Sequence, residues 1–215
     1  MSNYEYIITS LPVILPDYRY ADGEGFEGMI SEIRTDLSER DNALLDFLLR
    51  GFSADELTQD FYAEALRHRN RFLREYFRFD LNLRNAKVEY LNRQLGRPEG
   101  TDVMTGKGTD DDTDLDIDLM RFQSGEFAEM AKVEEILAGT DLIAREKGLD
   151  DLTWDKINSL TLFNYFDINA ILGFVAKLRI ADRWLALDEE AGREKFRQLT
   201  REVKGTFKGV KYTDQ

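Results

Sequence analysis

From Ser53 to Leu95 the chain runs for more than forty residues without a glycine or a proline. Its apolar residues include Phe61, Leu66, Phe72, Leu73, Tyr76, Phe77, Phe79, Leu83, Val88 and Leu91. A stretch of this length and pattern is helix, because strands rarely continue so far and loops are broken by turn residues. It reads as one long helix or as two helices meeting near Asp80-Leu81-Asn82. The apolar positions cover more than one narrow stripe, so this segment is expected at the centre, packed on several sides. Ser53-Ala54-Asp55-Glu56 has the form of a capping box that would start it.

Helical spacing recurs on both sides. Phe26, Met29, Ile30, Ile33 and Leu37 fall at i, i+3, i+4, i+7, and Ser38 is placed to cap a second helix that ends at Gly51. Toward the C-terminus one helix passes through Phe127, Met130, Val133, Ile136 and Leu137 and stops at Gly139. A short one follows Thr140, and another lies between Leu152 and Phe163. Asp167 caps the clearest of all, through Ile168, Ile171, Leu172, Val175, Leu178, Ile180 and Leu185. Asp188-Glu189-Glu190 opens a last helix closed by Gly205, its acidic start suiting the helix dipole. The tail from Thr206 is expected to fray.

Two segments break the helical pattern. Residues 4–20 hold Tyr4, Tyr6, Ile7, Ile8, Pro12 and Pro16 and read as extended. Residues 96–116 are rich in Gly and Asp and read as an exposed, flexible acidic loop. The expected architecture is therefore an all-α multi-helix bundle with a short extended N-terminal segment. It comprises an N-terminal helical half (1–95), the loop (96–116) and a C-terminal helical half (117–215), together one compact unit. No internal repeat stands out.

With 215 residues the chain can bury roughly 70% of its unfolded surface. Cysteine is absent, which excludes disulfides and thiolate metal sites and fits a reducing compartment. The N-terminal residues lack a basic region and are not expected to be a signal peptide. No apolar run approaches the ~20 residues needed to span a bilayer, so direct membrane insertion is not expected. The net charge of −13 repels nucleic acid and anionic lipid at long range. A protein partner with a basic face, or none, is the expectation.

Chemistry-bearing motifs are weak. Gly23-Glu24-Gly25-Phe26-Glu27-Gly28 has dinucleotide-loop spacing but no preceding strand, and its carboxylates would repel a pyrophosphate. Gly106-Lys107-Gly108-Thr109 lacks the P-loop spacing and its Lys-Ser/Thr pair. The run from Asp110 to Asp118 would put Leu115 and Arg121 at the Gly and Glu positions of an EF-hand, so a solvated charge run is the better reading. His68 is the only histidine, which leaves no material for a triad or a His-rich metal site. Glu64 and His68, one turn apart, read as a surface contact. No catalytic residue, cofactor or metal is expected. Arg67, Arg71, Arg74, Arg78 and Arg84 form a basic segment in an acidic chain. Arg67, Arg71, Arg74 and Arg78 share one helical face. With Glu64, Glu75 and Asp80 beside them, they suit ion pairing or a protein interface better than single-stranded nucleic acid.

Several runs carry a family likeness. They are Arg71-Phe72-Leu73-Arg74-Glu75-Tyr76-Phe77 continuing to Asn82-Leu83-Arg84-Asn85, and the stretch from Phe166 through Asp167-Ile168-Asn169-Ala170-Ile171-Leu172-Gly173 to Trp184. To these add Gly192-Arg193-Glu194-Lys195-Phe196, Tyr6-Ile7-Ile8-Thr9-Ser10-Leu11-Pro12 and Leu37-Ser38-Glu39-Arg40-Asp41. Together they resemble a bacterial family encoded with vacuolar-type (V-type) ATPases and similar to a compact form of the C-type component of those motors (d-type in eukaryotes). The resemblance implies a helical, non-catalytic linker between the central-stalk subunits and the membrane rotor ring. It also implies a cytoplasmic protein held peripherally at the inner membrane face through that complex. Two other functions fit the residues: a helical adaptor or regulatory protein unrelated to an ATPase, and a carboxylate-dependent, metal-assisted enzyme.

Overall fold

A computed structural model describes residues 3–20, 25–105 and 120–187, with the backbone of the last helix continuing to residue 207. Among the described residues there are eight helices and no strand. They are α1 (Tyr4–Ser10), α2 (Gly25–Asp36), α3 (Glu39–Arg50), α4 (Gln59–Leu66), α5 (Arg71–Leu95), α6 (Met130–Ala138), α7 (Leu142–Thr161) and α8 (Ile168–Phe207). The protein is all-α, as its periodicity predicts.

Helix α5 is the centre of the packing. Phe72, Leu73, Tyr76, Phe77 and Leu81 enter a large core shared with α1 to α4, α7 and α8. Phe79, Leu83 and Ala86, on another side, enter a smaller core with Phe127, Met130, Val133 and Leu137 around α6, and with Leu149 of α7. Helix α8 packs on α1, α2, α3, α5 and α7. Its Ile171, Leu172, Val175 and Leu178 are completely buried.

Several boundaries differ from the sequence reading, each for a local reason. Residues 4–10 are helical rather than extended. The Tyr6 amide donates to Asn3 Oδ1 at 3.2 Å, capping the turn, and burial of Ile7 outweighs the strand preference of Tyr and Ile. The helix stops before Pro12, and only the following residues are extended or turned. Ser53–Glu56 forms a turn, not a capping box, with the Glu56 amide donating to the Ser53 carbonyl at 3.2 Å. The cap is Thr58, whose Oγ1 accepts from the Phe61 amide at 3.3 Å.

The break in the long apolar stretch falls at residues 67–70 and not at Asp80–Asn82. Asn70 Oδ1 accepts from the Leu73 amide at 3.0 Å and starts α5 anew. At Asp80 the helix continues, because its carboxylate is held by the Tyr62 hydroxyl and by Arg84 Nε at 2.8 Å.

The two short helices expected after Thr140 are the single helix α7. Asp141 Oδ1 caps it, accepting from Ile143 at 2.9 Å and Ala144 at 3.2 Å. The acidic run at Asp188 does not open a new helix, since α8 passes through it. In the first part of the expected loop, residues 97–104 are tied to α5 by its buried Asn85, Glu89 and Asn92. The Asp110–Asp118 run, the Gly106–Thr109 motif and the tail from residue 208 lie outside the described residues.

Candidate functional site

The arginine segment is divided by the helix break. Arg67 is the C-cap of α4 and Arg71 the first residue of α5, both exposed at one corner. Arg74 lies along Glu75 at 3.4 Å and donates to the His68 carbonyl at 3.0 Å. Arg78 faces the same Glu75 at 3.9 Å, and Arg84 is committed to Asp80. The five arginines therefore do not form one stripe. Arg69, which helical phasing put off the shared face, is exposed beside Arg67.

That corner borders an open groove of about 1590 Å³ between the ends of α1, α3, α4 and α8, lined by Tyr4, Arg40, Arg67, His68, Arg69 and Asn70 among others. Its interior polar groups are engaged. Asp41 accepts from the Tyr4 hydroxyl at 2.9 Å and from Ser38 Oγ at 2.7 Å. Glu64 accepts from both terminal nitrogens of Arg50 at 3.2 Å. His68 Nδ1 accepts from the Asn70 amide at 3.0 Å, and its ring lies 4.8 Å from that of Phe47. Burial pushes the His68 pKa below the usual imidazole range. Asn70 Nδ2 donates to Asn169 Oδ1 at 2.8 Å, joining this corner to the first turn of α8.

Between α7 and α8 sits a feature that periodicity did not flag. Leu162, Phe163, Tyr165 and Phe166 are 56 to 83% exposed within five residues. The turn that presents them is well tied. The Asn164 amide donates to the Thr161 carbonyl at 2.9 Å and its side chain to Asp167 at 2.5 Å. Asp167 Oδ1 in turn caps α8 through the amides of Asn169 and Ala170 at 2.9 and 3.1 Å. At the other end of α7, Leu142 and Ile143 are exposed, as are Leu91 and Leu95 of α5. A small cleft of about 190 Å³ opens there, lined by Tyr90, Leu91, Leu137, Leu142 and Leu149. At 1.5 Å per residue the 20-residue helix holds the two apolar ends about 30 Å apart. The sequence signal was available in Leu162-Phe163-Asn164-Tyr165-Phe166, a dense aromatic run just before a helix cap. Its exposure depended on where α7 stops.

A third cluster anchors the segment after α1. Tyr18, at φ 65°, donates to Asp151 Oδ1 at 2.5 Å and packs between Trp154 and Trp184. Neighbouring Asp150 accepts from Arg183 and from Trp184 Nε1 at 2.6 Å. These groups serve to hold the N-terminal segment on α7 and α8.

The Glu64–His68 pair suggested by spacing is not what organises the groove, because Glu64 is occupied by Arg50. Of the glycine-spaced run, Gly25 starts α2 and Gly28 lies inside the helix, while Gly23 and Glu24 lie outside the described residues. Among the described residues no group of three or more His, Asp or Glu gathers to hold a metal ion. Among them, too, no helix is long and apolar enough to cross a membrane.

No curated protein and no solved structure matches the chain. A family model does match residues 52–206, the stretch that carries α4 to α8 and both apolar ends while leaving out α1 to α3. That span is most of the chain, which therefore belongs to the family described as "Protein of unknown function (DUF2764)".

Proposed function

We propose that this chain is a non-catalytic linker, a C-type component joining the central stalk of a bacterial V-type ATPase to its membrane rotor ring. The observation that carries the reading is the pair of exposed apolar ends on α7. Clusters of large exposed apolar side chains mark contact surfaces, and Tyr, Phe and Arg are the residues that anchor such contacts. Ile157, one turn before the end of α7, is fully buried, and the helix packs on α5, α6 and α8. The two ends then move as one body, which a part that transmits torque requires. The V-type ATPase partners come from the sequence resemblance, and the linker would sit peripherally at the inner membrane face through them.

Arg67 and Arg71 remain docking candidates, because both are exposed. Arg74, Arg78 and Arg84 act within the fold. A carboxylate enzyme would hold several acids convergent and poised in a deep pocket. The groove at the arginine corner is open, and its Asp41 and Glu64 are already engaged, which favours docking.

Native mass spectrometry of the tagged endogenous protein tests the reading. Stalk and ring subunits should be recovered in fixed stoichiometry, and Leu142→Asp should lose one of them. Recovery of the chain with an unrelated partner and no ATPase component would favour the adaptor reading instead.

A further inference from the structure

The aromatic tip between α7 and α8 and the arginine corner are neighbours. The Asn70–Asn169 hydrogen bond joins them. A Cβ built on Gly173 would lie 2.5 Å from Thr161 Cγ2 and 3.6 Å from Phe72, so the end of α7 and the first turn of α5 meet on α8. From Ala65 to Arg74 the chain has four arginines and no carboxylate, and from Thr161 to Phe166 no charged residue. The carboxylate closest to the tip in sequence, Asp167, is used as the α8 cap and by Asn164. Glu64 is held by Arg50, and Glu75 lies between Arg74 and Arg78. Asp60 lines the groove at the N-terminal end of α4, away from the Arg67 cap.

We propose that this end of the molecule is an interfacial membrane-contact site. Leu162, Phe163, Tyr165 and Phe166 enter the headgroup–acyl boundary of an anionic bilayer, while Arg69 and Arg71 meet lipid phosphates. Aromatic side chains with a polar edge favour this boundary, and basic residues beside it add electrostatic attraction. The net charge of −13 does not forbid the contact. At physiological salt the screening length is about 8 Å, so the local arginines govern what happens at the surface.

The charge selects among occupants. A two-fold pairing of this end with itself would set arginines against arginines, and a basic partner would be repelled. An acidic protein would satisfy the charge, but four side chains projecting from a turn need a matching pocket in a folded partner. The groove at the arginine corner is lined by Ile168 and not by residues 162–166, so it does not take up the tip. A fluid interface receives such a tip without a preformed pocket.

The site is one of the two ends on which the linker reading rests, but its test contains no ATPase component, so the two can fail separately. The full chain is sedimented with vesicles of phosphatidylcholine plus phosphatidylglycerol and with phosphatidylcholine alone. Binding should require the anionic lipid and weaken with salt. Phe163→Asp, and separately the pair Arg69→Glu and Arg71→Glu, should each reduce it by about tenfold or more, with unchanged circular dichroism because all three sites are exposed. Equal partition onto both vesicles, or variants that bind like the parent, would overturn the proposal. So would absence of binding to either vesicle, and protection of the tip by an acidic protein would then assign the site to a protein partner.

Discussion

Asn85, buried on α5, pairs with the backbone of Met104 as a neighbouring strand would: its amide donates to the Met104 carbonyl at 2.8 Å and its oxygen accepts from the Met104 amide at 3.0 Å. One helical turn further on, Glu89 accepts from the Gly100 amide at 2.7 Å, and Asn92 donates to the Thr101 carbonyl at 2.7 Å. Three side chains on one face of α5 thus satisfy a segment that has no helix or sheet of its own. Asn85→Ala leaves two half-buried backbone groups without these partners and should cost about 1–3 kcal/mol in urea unfolding. It should also speed proteolysis within residues 96–105. Gln94→Ala, on the exposed side of the same helix, should stay within about 0.5 kcal/mol of the parent.

Gly173 tests the contact between α7 and α8. Alanine there raises helix propensity by about 1 kcal/mol, which alone would stabilise. The added methyl would instead meet Thr161 Cγ2 at 2.5 Å, and overpacking of this kind costs about 1–3 kcal/mol. Gly173→Ala should therefore lower the melting temperature. Combined with Thr161→Ser, which removes Cγ2 and keeps the hydroxyl bonded to the Ile157 carbonyl, it should recover most of the loss. A double variant no more stable than the single one would show that the clash lies elsewhere.

His68 makes the fold sensitive to acid. Its burial lowers the pKa, and Nδ1 must be unprotonated to accept from Asn70. A folded-state pKa below the unfolded value of about 6.5 means the unfolded chain takes up the proton first. The contribution is present above that pH and is lost as pH falls toward the folded value. His68→Gln should flatten the fall in melting temperature between neutral pH and pH 5 (about the range where an ordinary imidazole titrates). An NMR titration of the His68 ring should show a midpoint below the ordinary value.

At the alkaline end the tyrosines act in the opposite direction. Burial pushes Tyr18, Tyr62 and Tyr76 well above the ordinary tyrosine range, and the carboxylates of Asp151 (for Tyr18) and Asp80 (for Tyr62 and Tyr76) add to the shift. Each is protonated when folded and would ionise near pH ~10 when unfolded, so stability holds below that pH and falls as pH rises through it. Absorbance titration should show these three of the nine tyrosines ionising only as the protein unfolds. Tyr62→Phe should remove one of them from that step.

The all-α class, the caps at Ser38 and Asp167, the stops at Gly51, Gly96 and Gly139, and the central place of residues 71–95 are legible in the sequence. They depend on interactions within a few residues, where spacing and capping chemistry decide the outcome. What spacing could not decide is which of two local options tertiary contact would favour. Thr58 starts α4 instead of Ser53, Asn70 breaks the long stretch instead of Asp80, and the N-terminal Tyr-Ile run coils because Ile7 finds a core to enter. The arginine stripe dissolved for the same reason, since Glu75 claims Arg74 and Arg78 and a helix break separates Arg67 from the rest. Sequence alone determined that this chain folds into stacked helices, because periodic apolar burial is a property of the chain. Only the tertiary structure decided that Leu162, Phe163, Tyr165 and Phe166 stay outside and beside Arg69 and Arg71. Exposure is set by which surfaces the rest of the molecule leaves uncovered, and no local pattern encodes that.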